Sequence, residues 1–300
     1  MASHVAIGVF DGVHAGHRAV LASATAAART EGGSVVALTF DPHPSRLLRP
    51  EAPTQLILSA SDKDQRLREA GAQRIVYQPF DHAHRAIEAE NYLAWLQAEF
   101  PDCRSIHIGE NFRFGHQRRG EPTLLAAQGK PKGISVTAVP AVQVHGEPAS
   151  SSRIRAALRE GNLDLANEML VHPYEASGKI QPGRQLGQTL GFPTLNLAWA
   201  PELLPAFGVY VAEVLTQNST AEPAIINWGV RPTVEATPVA AQLEAHLLRP
   251  SSTPPTHGDF IKVRWLSRLR GEQRFADLAA LKAQIKEDCA QARHWLGLSD

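Results

Sequence analysis

The sequence predicts two domains of different fold class. Residues 1–168 read as an α/β domain on a parallel sheet, and 169–300 as antiparallel β-structure, a barrel or sandwich, finished by a C-terminal helix. Three observations carry this. Apolar runs of strand length alternate with helical segments through the first half. After about residue 170 the runs shorten, and Gly, Pro and turn residues become frequent. The last segment sets Phe275, Leu278, Leu281, Ile285, Cys289 and Leu296 at helical spacing. A length of 300 residues is enough for two domains of about 150 residues each.

Element by element, Val5 to Phe10 is a short apolar run ending in Asp-Gly, which reads as a buried strand. Arg18 to Thr30 is Ala-rich and reads as a helix stopped by Gly32-Gly33. Ser34 to Phe40 is a second buried strand, closed by Asp41-Pro42. Ser59 and Asp62 resemble a capping box, so the next helix runs to Ala70 with Gly71 just past its end. Ile75 to Phe80, Ile106 to Gly109 and Ile134 to Val139 are three further strands, with a helix near Asn91 to Glu99 between the first two. Helical crossovers between strands imply parallel pairing, and ligands of such sheets bind outside the strands' carboxyl ends. Leu163 to Pro173 reads as the joint between the halves. Beyond it, Val209 to Leu215, Ala224 to Asn227, Gln242 to Leu248 and Phe260 to Leu266 read as antiparallel strands, and Cys289 as a core residue of the last helix.

Composition narrows the function classes. Thirty Lys plus Arg balance thirty Asp plus Glu, which argues against a general nucleic-acid or membrane-surface binder. Two cysteines, Cys103 and Cys289, make neither a disulfide framework nor a Cys-rich zinc site. No apolar run reaches the roughly 20 residues of a membrane helix. The opening MASHVAIGVFDG lacks the basic region of a signal peptide, so a cytoplasmic protein is expected.

The first chemistry-bearing stretch is Gly8-Val9-Phe10-Asp11-Gly12-Val13-His14-Ala15-Gly16-His17, at a strand end and a helix start. Gly8, Gly12 and Gly16 let backbone pass close to a ligand, and free N–H groups at a helix start favour anions. His14 and His17 project from one turn and can both donate to phosphate oxygens, where charge builds as a P–O bond breaks.

This H-A-G-H after G-V-F-D-G resembles the HxGH nucleotidyltransferase superfamily, whose members join a nucleotidyl group to a phosphate. Thr39-Phe40-Asp41-Pro42-His43-Pro44, Ile108-Gly109-Glu110-Asn111-Phe112-Arg113-Phe114-Gly115 and Ser150-Ser151-Ser152-Arg153-Ile154-Arg155 narrow the match. In that order they resemble the adenylyltransferase domain of bacterial bifunctional riboflavin kinase/FAD synthetases, and the likeness extends over essentially the whole chain. It implies a Rossmann-like parallel sheet for 1–168 and an antiparallel β-barrel with a C-terminal helix for 169–300. It also implies that His14 and His17 contact ATP phosphates, with Gly8, Phe10, Asp11, Gly12 and Gly16 around them. Asp41, Pro42, Asn111, Phe112 and Arg113 would lie near the flavin. Ser151, Ser152 and Arg153 would complete the phosphate site at a helix start, where hydroxyls, N–H groups and a guanidinium suit phosphate. Glu110 stands where relatives usually carry Asp, and the lead before the first strand is shorter than theirs.

The second stretch, Gly178 to Leu197, reads GKIQPGRQLGQTLGFPTLNL. Gly183, Gly187 and Gly191 suit a loop folded over phosphates. Gly191-Phe192-Pro193-Thr194-Leu195-Asn196 resembles the GFPTAN signature of riboflavin kinases, with Leu195 for Ala. Thr194 and Asn196 offer hard oxygens of the kind Mg²⁺ takes beside nucleotide phosphates. Asn227-Trp228-Gly229-Val230-Arg231-Pro232-Thr233 resembles the same family's N-x-G-x-R-P-T segment, which implies flavin contacts for Asn227, Arg231 and Thr233. Glu244 stands in an otherwise apolar alternating strand, and the resemblance makes it the base for the riboflavin 5′-hydroxyl. His246 shares its sheet face and reads as an orienting neighbour of Glu244 or as simply packed, the second being favoured. Gln188 replaces the usual Lys or Arg, which removes a cation near the transferring phosphate.

The expectation is an enzyme that uses ATP and Mg²⁺ to convert riboflavin to FMN, then a second ATP to convert FMN to FAD. One rival keeps only the adenylyltransferase step, with a barrel reduced to flavin binding. Another is a flavin-responsive binding protein without turnover, and a third is a different HxGH enzyme such as a cytidylyltransferase. The small-molecule partners expected are riboflavin, FMN and ATP; no pattern indicates an oligomeric state.

Overall fold

A computed structural model describes residues 1–183, 186–216, 221–230, 241–249 and 254–298. It divides into two compact units, Met1–Arg153 and Ile154–Asp300.

The first unit is built on a five-stranded sheet of β1 (Ser3–Ile7), β2 (Ser34–Asp41), β3 (Arg74–Pro79), β4 (Cys103–Gly109) and β5 (Ser135–Val139). Its order is β3-β2-β1-β4-β5, every pair parallel, with Val5 opposite Val36 on one side and Ile106 on the other. The connections carry α1 (Ala15–Glu31), α2 (Ser45–Leu48), α3 (Ala60–Glu69), α4 (His82–Arg85), α5 (Tyr92–Glu99) and α6 (Pro122–Gly129). A short hairpin of β6 (Gln143–Val144) and β7 (Glu147–Pro148) precedes α7 (Ser151–Glu160). Both sheet faces are covered, which is why the central strands read as continuous apolar runs rather than alternating ones. On one face Val5, Ile7, Val36, Leu38, Ile106 and Ile108 pack beneath Tyr92, Leu93 and Leu96 of α5 and Leu125 of α6. On the other, α1 covers β1, β2 and β4.

The first strand is shorter than its apolar run. It ends at Ile7 rather than Phe10, and the chain turns out through Phe10 at φ 54°, Gly12 at 85° and Val13 at 40°. Positive φ is a strained conformation for a bulky or β-branched side chain and concentrates at functional turns. Phe10 stays fully buried without being in the strand, so hydrophobicity alone extended the expected element.

The second unit is a closed six-stranded antiparallel barrel. Its strands are β8 (Tyr174–Gln181), β9 (Leu195–Ala198), β10 (Gly208–Leu215), β11 (Ala221–Gly229), β12 (Gln242–Leu247) and β13 (Phe260–Gly271), arranged β10-β11-β12-β9-β8-β13. Closure leaves no free edge. Tyr174, Tyr210, Trp228 and Trp265 are all fully buried; Trp265 meets the rings of the other three and of Trp199, and Trp199 also meets Tyr174 and Trp228. Three more helices complete the unit: α8 (Leu163–Leu170), α9 (Leu186–Leu190) and α10 (Leu278–Trp295). In α8, Asn167 donates to the Trp265 carbonyl at 2.9 Å and accepts from the Tyr174 N–H at 2.7 Å, which binds this helix to the barrel strands.

The expected C-terminal stripe needs trimming. Asp277 caps α10, so Phe275 precedes the helix and lies against the Arg270 guanidinium instead. Leu278 is 59 % exposed. The stripe that packs is Ile285, Cys289 and Leu296 against Val209, Val211 and Ile225. Arg270 forks onto Asp288 of α10, with Nε–Oδ1 at 2.9 Å and Nη2–Oδ2 at 2.6 Å. Burial pushes both cysteine thiols up to about 11, as expected of inert core cysteines.

Candidate functional site

In the first unit, strand order reverses between β1 and β4, and the loops after those strands splay apart there. They frame a cavity of about 730 Å³. Of the expected residues, Gly8, Phe10, His14, Gly16 and His17 line one part of it, and Asn111, Phe112 and Arg113 another. Two segments nearly a hundred residues apart thus share one wall.

The histidine pair is built by the turn into α1. His14 is the N-cap, and its Nδ1 accepts from the Gly16 N–H at 3.1 Å. That bond leaves the ring proton of neutral His14 on Nε2. The two imidazoles stack with centroids 3.7 Å apart and planes 24° apart, and Phe10 meets the His17 ring edge-on. Burial, then His14, then Lys63 hold His17 well below the ordinary imidazole range, so it is neutral at pH 7. Its buried Nδ1 has no hydrogen-bond partner among the described residues. An uncharged donor pair costs little to keep beside apolar walls and gains strength when an anion arrives.

The remaining expected residues play supporting parts. Buried Asp11 accepts from the Ile57 N–H at 2.9 Å, and its carbonyl takes the Ser151 hydroxyl at 2.7 Å. These bonds fix the strained turn to the start of α7. Ser150, rather than Ser151 or Ser152, lines the cavity. The Arg153 guanidinium is engaged with the carbonyls of Val144, Glu147 and Pro148 and with the Glu147 carboxylate at 3.1 Å. It holds the β6–β7 hairpin and is not among the cavity-lining residues. Asp41 and Pro42 are exposed at the end of β2, whereas their neighbours Phe40 and Pro44 form cavity wall.

Sequence reasoning missed Lys63. It lies on α3, where a polar surface helix was the natural reading, yet its Nζ donates to Thr39 Oγ1 at 2.7 Å. Burial lowers its pKa to about 8 despite Asp11, Asp41 and Asp64. It also missed an aromatic wall of Phe40, Phe80, His84 and Tyr92. Only Phe40 falls in a motif; Phe80, His84 and Tyr92 do not, because separate parts of the chain supply them: the residue after β3, α4 and α5.

In the barrel, pairing assembles a second cluster. Glu244 on β12 stands opposite Asn227 on β11 and opposite Asn196 on β9. Directly opposed residues project to one face, and this face alternates with the buried Leu243, Ala245, Ile226 and Trp228. The glycines meet the same cluster. A Cβ at Gly183 would overlap the Asn196 amide, and one at Gly187 would overlap the Phe192 carbonyl beside Thr194. Gly191, at φ 92°, turns the chain into Phe192. His246 is more than packed: it bonds the Pro193 carbonyl at 2.8 Å and meets the Phe192 ring edge-on, which ties this loop to β12. Gln188 is exposed on α9. Arg231 and Thr233 lie outside the described residues.

Thr194 and Asn196 fit a magnesium ion by the chemistry of their donors. A hydroxyl and an amide carbonyl are hard oxygens, Mg²⁺ commonly takes few protein ligands beside phosphates and water, and Gly183 leaves the Asn196 amide uncovered.

A doubly wound parallel sheet with a cavity at its switch point and stacked histidines at a helix start has the architecture of a ligand-binding α/β unit. The comparisons with known proteins take this further. The FAD synthetase family model matches residues 1–153 and the riboflavin kinase model residues 170–296. The chain belongs to the family of bifunctional riboflavin kinases/FMN adenylyltransferases. It is 36% identical to the one of Escherichia coli strain K12 over 293 residues, covering 98% of this chain and 92% of that one. It is 33% identical to the Pseudomonas fluorescens protein, covering 96% and 91%, and 30% identical to the Bacillus subtilis protein, covering 97% and 91%. A crystal structure described as a macrolide-efflux protein from Streptococcus pneumoniae superposes with a TM-score of 0.85 at 27% identity, covering 98% of this chain and 95% of that one. Among the described residues no helix of this chain is long and apolar enough to cross a membrane.

Proposed function

We propose that the chain makes FAD from riboflavin in two ATP-dependent steps, one in each unit. The observation that carries this is the pairing of two clusters in one chain: His14 and His17 on the cavity at the β1–β4 switch point, and Asn227, Glu244 and Asn196 abreast on the barrel.

In the barrel, Glu244 takes the proton of the riboflavin 5′-hydroxyl as its oxygen attacks the γ-phosphorus of ATP, giving FMN and ADP. Asn227 lies beside Glu244 to orient the flavin, with Arg231 and Thr233 in the same role. Thr194 and Asn196 would hold Mg²⁺. When bound, that ion neutralises phosphate charge. Gly183, Gly187 and Gly191 let the loop close over the phosphates.

In the N-terminal unit, a phosphate oxygen of FMN attacks the α-phosphorus of a second ATP. The new O–P bond forms as the bond to the β-phosphate oxygen breaks, giving FAD and pyrophosphate. The attacking phosphate is already ionised, so no protein nucleophile is required. Neutral His14 and His17 donate to the phosphate oxygens on which charge accumulates. Asn111, Phe112 and Arg113 stand on the wall that receives the flavin. Two buried, unpaired cysteines suit a reducing cytoplasmic setting.

Chromatography of products from riboflavin, ATP and Mg²⁺, with a parallel reaction begun from FMN, tests the assignment. His14→Ala and His17→Ala are expected to cut FAD formation by about 10²–10³-fold, the usual cost of a lost charge-stabilising donor, and to leave FMN formation intact. Glu244→Gln is expected to do the reverse. Loss of both products from either substitution in a folded protein would contradict separate sites.

A further inference from the structure

His84 is a buried group that neither step has used. It belongs to α4 in the first unit, is 7% exposed, and lines the cavity. Aromatic rings surround it: Trp95 edge-on with centroids at 4.6 Å, Phe40 at 5.4 Å, Phe80 at 5.6 Å and Tyr92 at 6.1 Å. The Asp81 carboxylate accepts its backbone N–H at 2.8 Å and so fixes where the ring stands. Its side-chain Nδ1 is buried with no hydrogen-bond partner among the described residues. An aromatic edge satisfies a ring nitrogen only weakly.

A buried unpaired polar atom costs about 1–3 kcal/mol, and such atoms in native proteins call for a reason. Phenylalanine in this ring of Phe, Tyr and Trp would incur no such cost. Burial lowers the His84 pKa against the opposing pull of Asp81, so the ring is neutral and offers one donor and one acceptor.

We propose that His84 is the specificity-determining residue that fixes the flavin ring system in the adenylyltransferase cavity, hydrogen-bonding a polar edge of the isoalloxazine while the surrounding aromatics pack on its faces. The proposal rests on reading the first unit as the FMN adenylyltransferase. The ligand chemistry matches the wall: a flat aromatic tricycle rimmed with carbonyl oxygens, ring nitrogens and one N–H. A purely aromatic wall would accept any flat ring, whereas one buried polar group penalises rings that cannot pair with it.

The test uses the full-length protein and compares wild type with His84→Phe and His84→Gln. His84→Phe is expected to raise the KM for FMN in FAD formation about tenfold, the effect of one hydrogen bond. The KM for ATP, kcat and FMN production from riboflavin stay within twofold, and the melting temperature is unchanged or higher. His84→Gln, which keeps a donor and an acceptor, holds the FMN KM within about threefold. Unchanged FMN affinity in His84→Phe makes His84 a packing residue and overturns the proposal, as does a His84→Gln as weak as His84→Phe. If wild type makes no FAD from FMN, the adenylyltransferase reading fails by itself. Quenching of FMN fluorescence then still judges His84, because binding in the barrel is common to all three proteins and only the difference between them counts. No difference overturns the proposal.

Discussion

At the scale of single residues, the chemistry depends on where side chains are absent as much as on where they stand. The half-buried Asn196 amide has room because Gly183 lacks a Cβ that would overlap it. Gly183→Ala is therefore expected to displace Asn196, raise the Mg²⁺ concentration needed for half-maximal kinase activity and lower FMN formation at least tenfold. FAD formation from added FMN would not change. Kinase activity with an unaltered Mg²⁺ requirement would remove Asn196 from the metal. Candidates for the site can be proposed from motifs because phosphate and metal chemistry accepts few side chains: His14, His17, Thr194, Asn196 and Glu244 are the ones the sequence offers. Lys63 and His84 are not among them. A lysine on a polar helix and a histidine among the polar residues of a short helix look solvated until packing shows otherwise.

At the scale of elements, the strands were easier to find than their ends. The apolar run from Val5 continues through Phe10, but the strand stops at Ile7 because the next residues turn into the strained loop that carries the histidines. Buried loop and buried strand share a composition, and only backbone geometry separates them. The last helix shows the converse. Its stripe begins after Leu278, and its anchor is the Arg270–Asp288 pair, Asp288 being 2% exposed. Asp288→Ala leaves Arg270 without its carboxylate. It is expected to destabilise the barrel unit by about 2–3 kcal/mol, somewhat under the figure for a fully buried pair because Arg270 keeps some exposure. Denaturant unfolding checks this, and a change under 0.5 kcal/mol would mean that the helix is held by apolar packing alone.

At the scale of the whole molecule, the two halves of the parallel unit's core differ in kind. The α5 face is apolar, whereas the α1 face carries a buried chain of hydrogen bonds. The Gly32 carbonyl meets His4 Nε2 at 3.0 Å, His4 Nδ1 meets Ser105 at 2.7 Å, Ser105 meets His107 at 2.8 Å, and His107 meets Ser23 at 2.8 Å. Burial, with His4 nearby, lowers the His107 pKa to about 4. The unfolded chain takes up this proton near the ordinary value of about 6.5. Above 6.5 both states are neutral and stability is complete; as pH falls from 6.5 towards 4, the unfolded state gains protons first. Stability is therefore lost across that window, by up to about 3 kcal/mol. Thermal unfolding at a series of pH values from 7.5 to 4.5 should show the decline beginning below 6.5, and His107→Asn should make it shallower, leaving the part due to the buried His17 and His84. A wild-type profile that is level across the window would show the chain of bonds to be pH-insensitive.

The sequence by itself determined the two fold classes and most strands, and it offered the candidate residues proposed for both steps, since periodicity records which faces are buried and motifs record which side chains can meet phosphate, metal or hydroxyl. Only the tertiary structure decided what meets what. Strand order brought the loops after β1 and β4 to one cavity, and barrel register set Asn227, Glu244 and Asn196 abreast. Packing left His84 Nδ1 without a hydrogen-bond partner among the described residues, engaged Arg153 with a hairpin, and buried Lys63 beside Thr39. These outcomes depend on contacts between residues far apart in the chain, whose energies appear only when the elements dock, so no local pattern contains them.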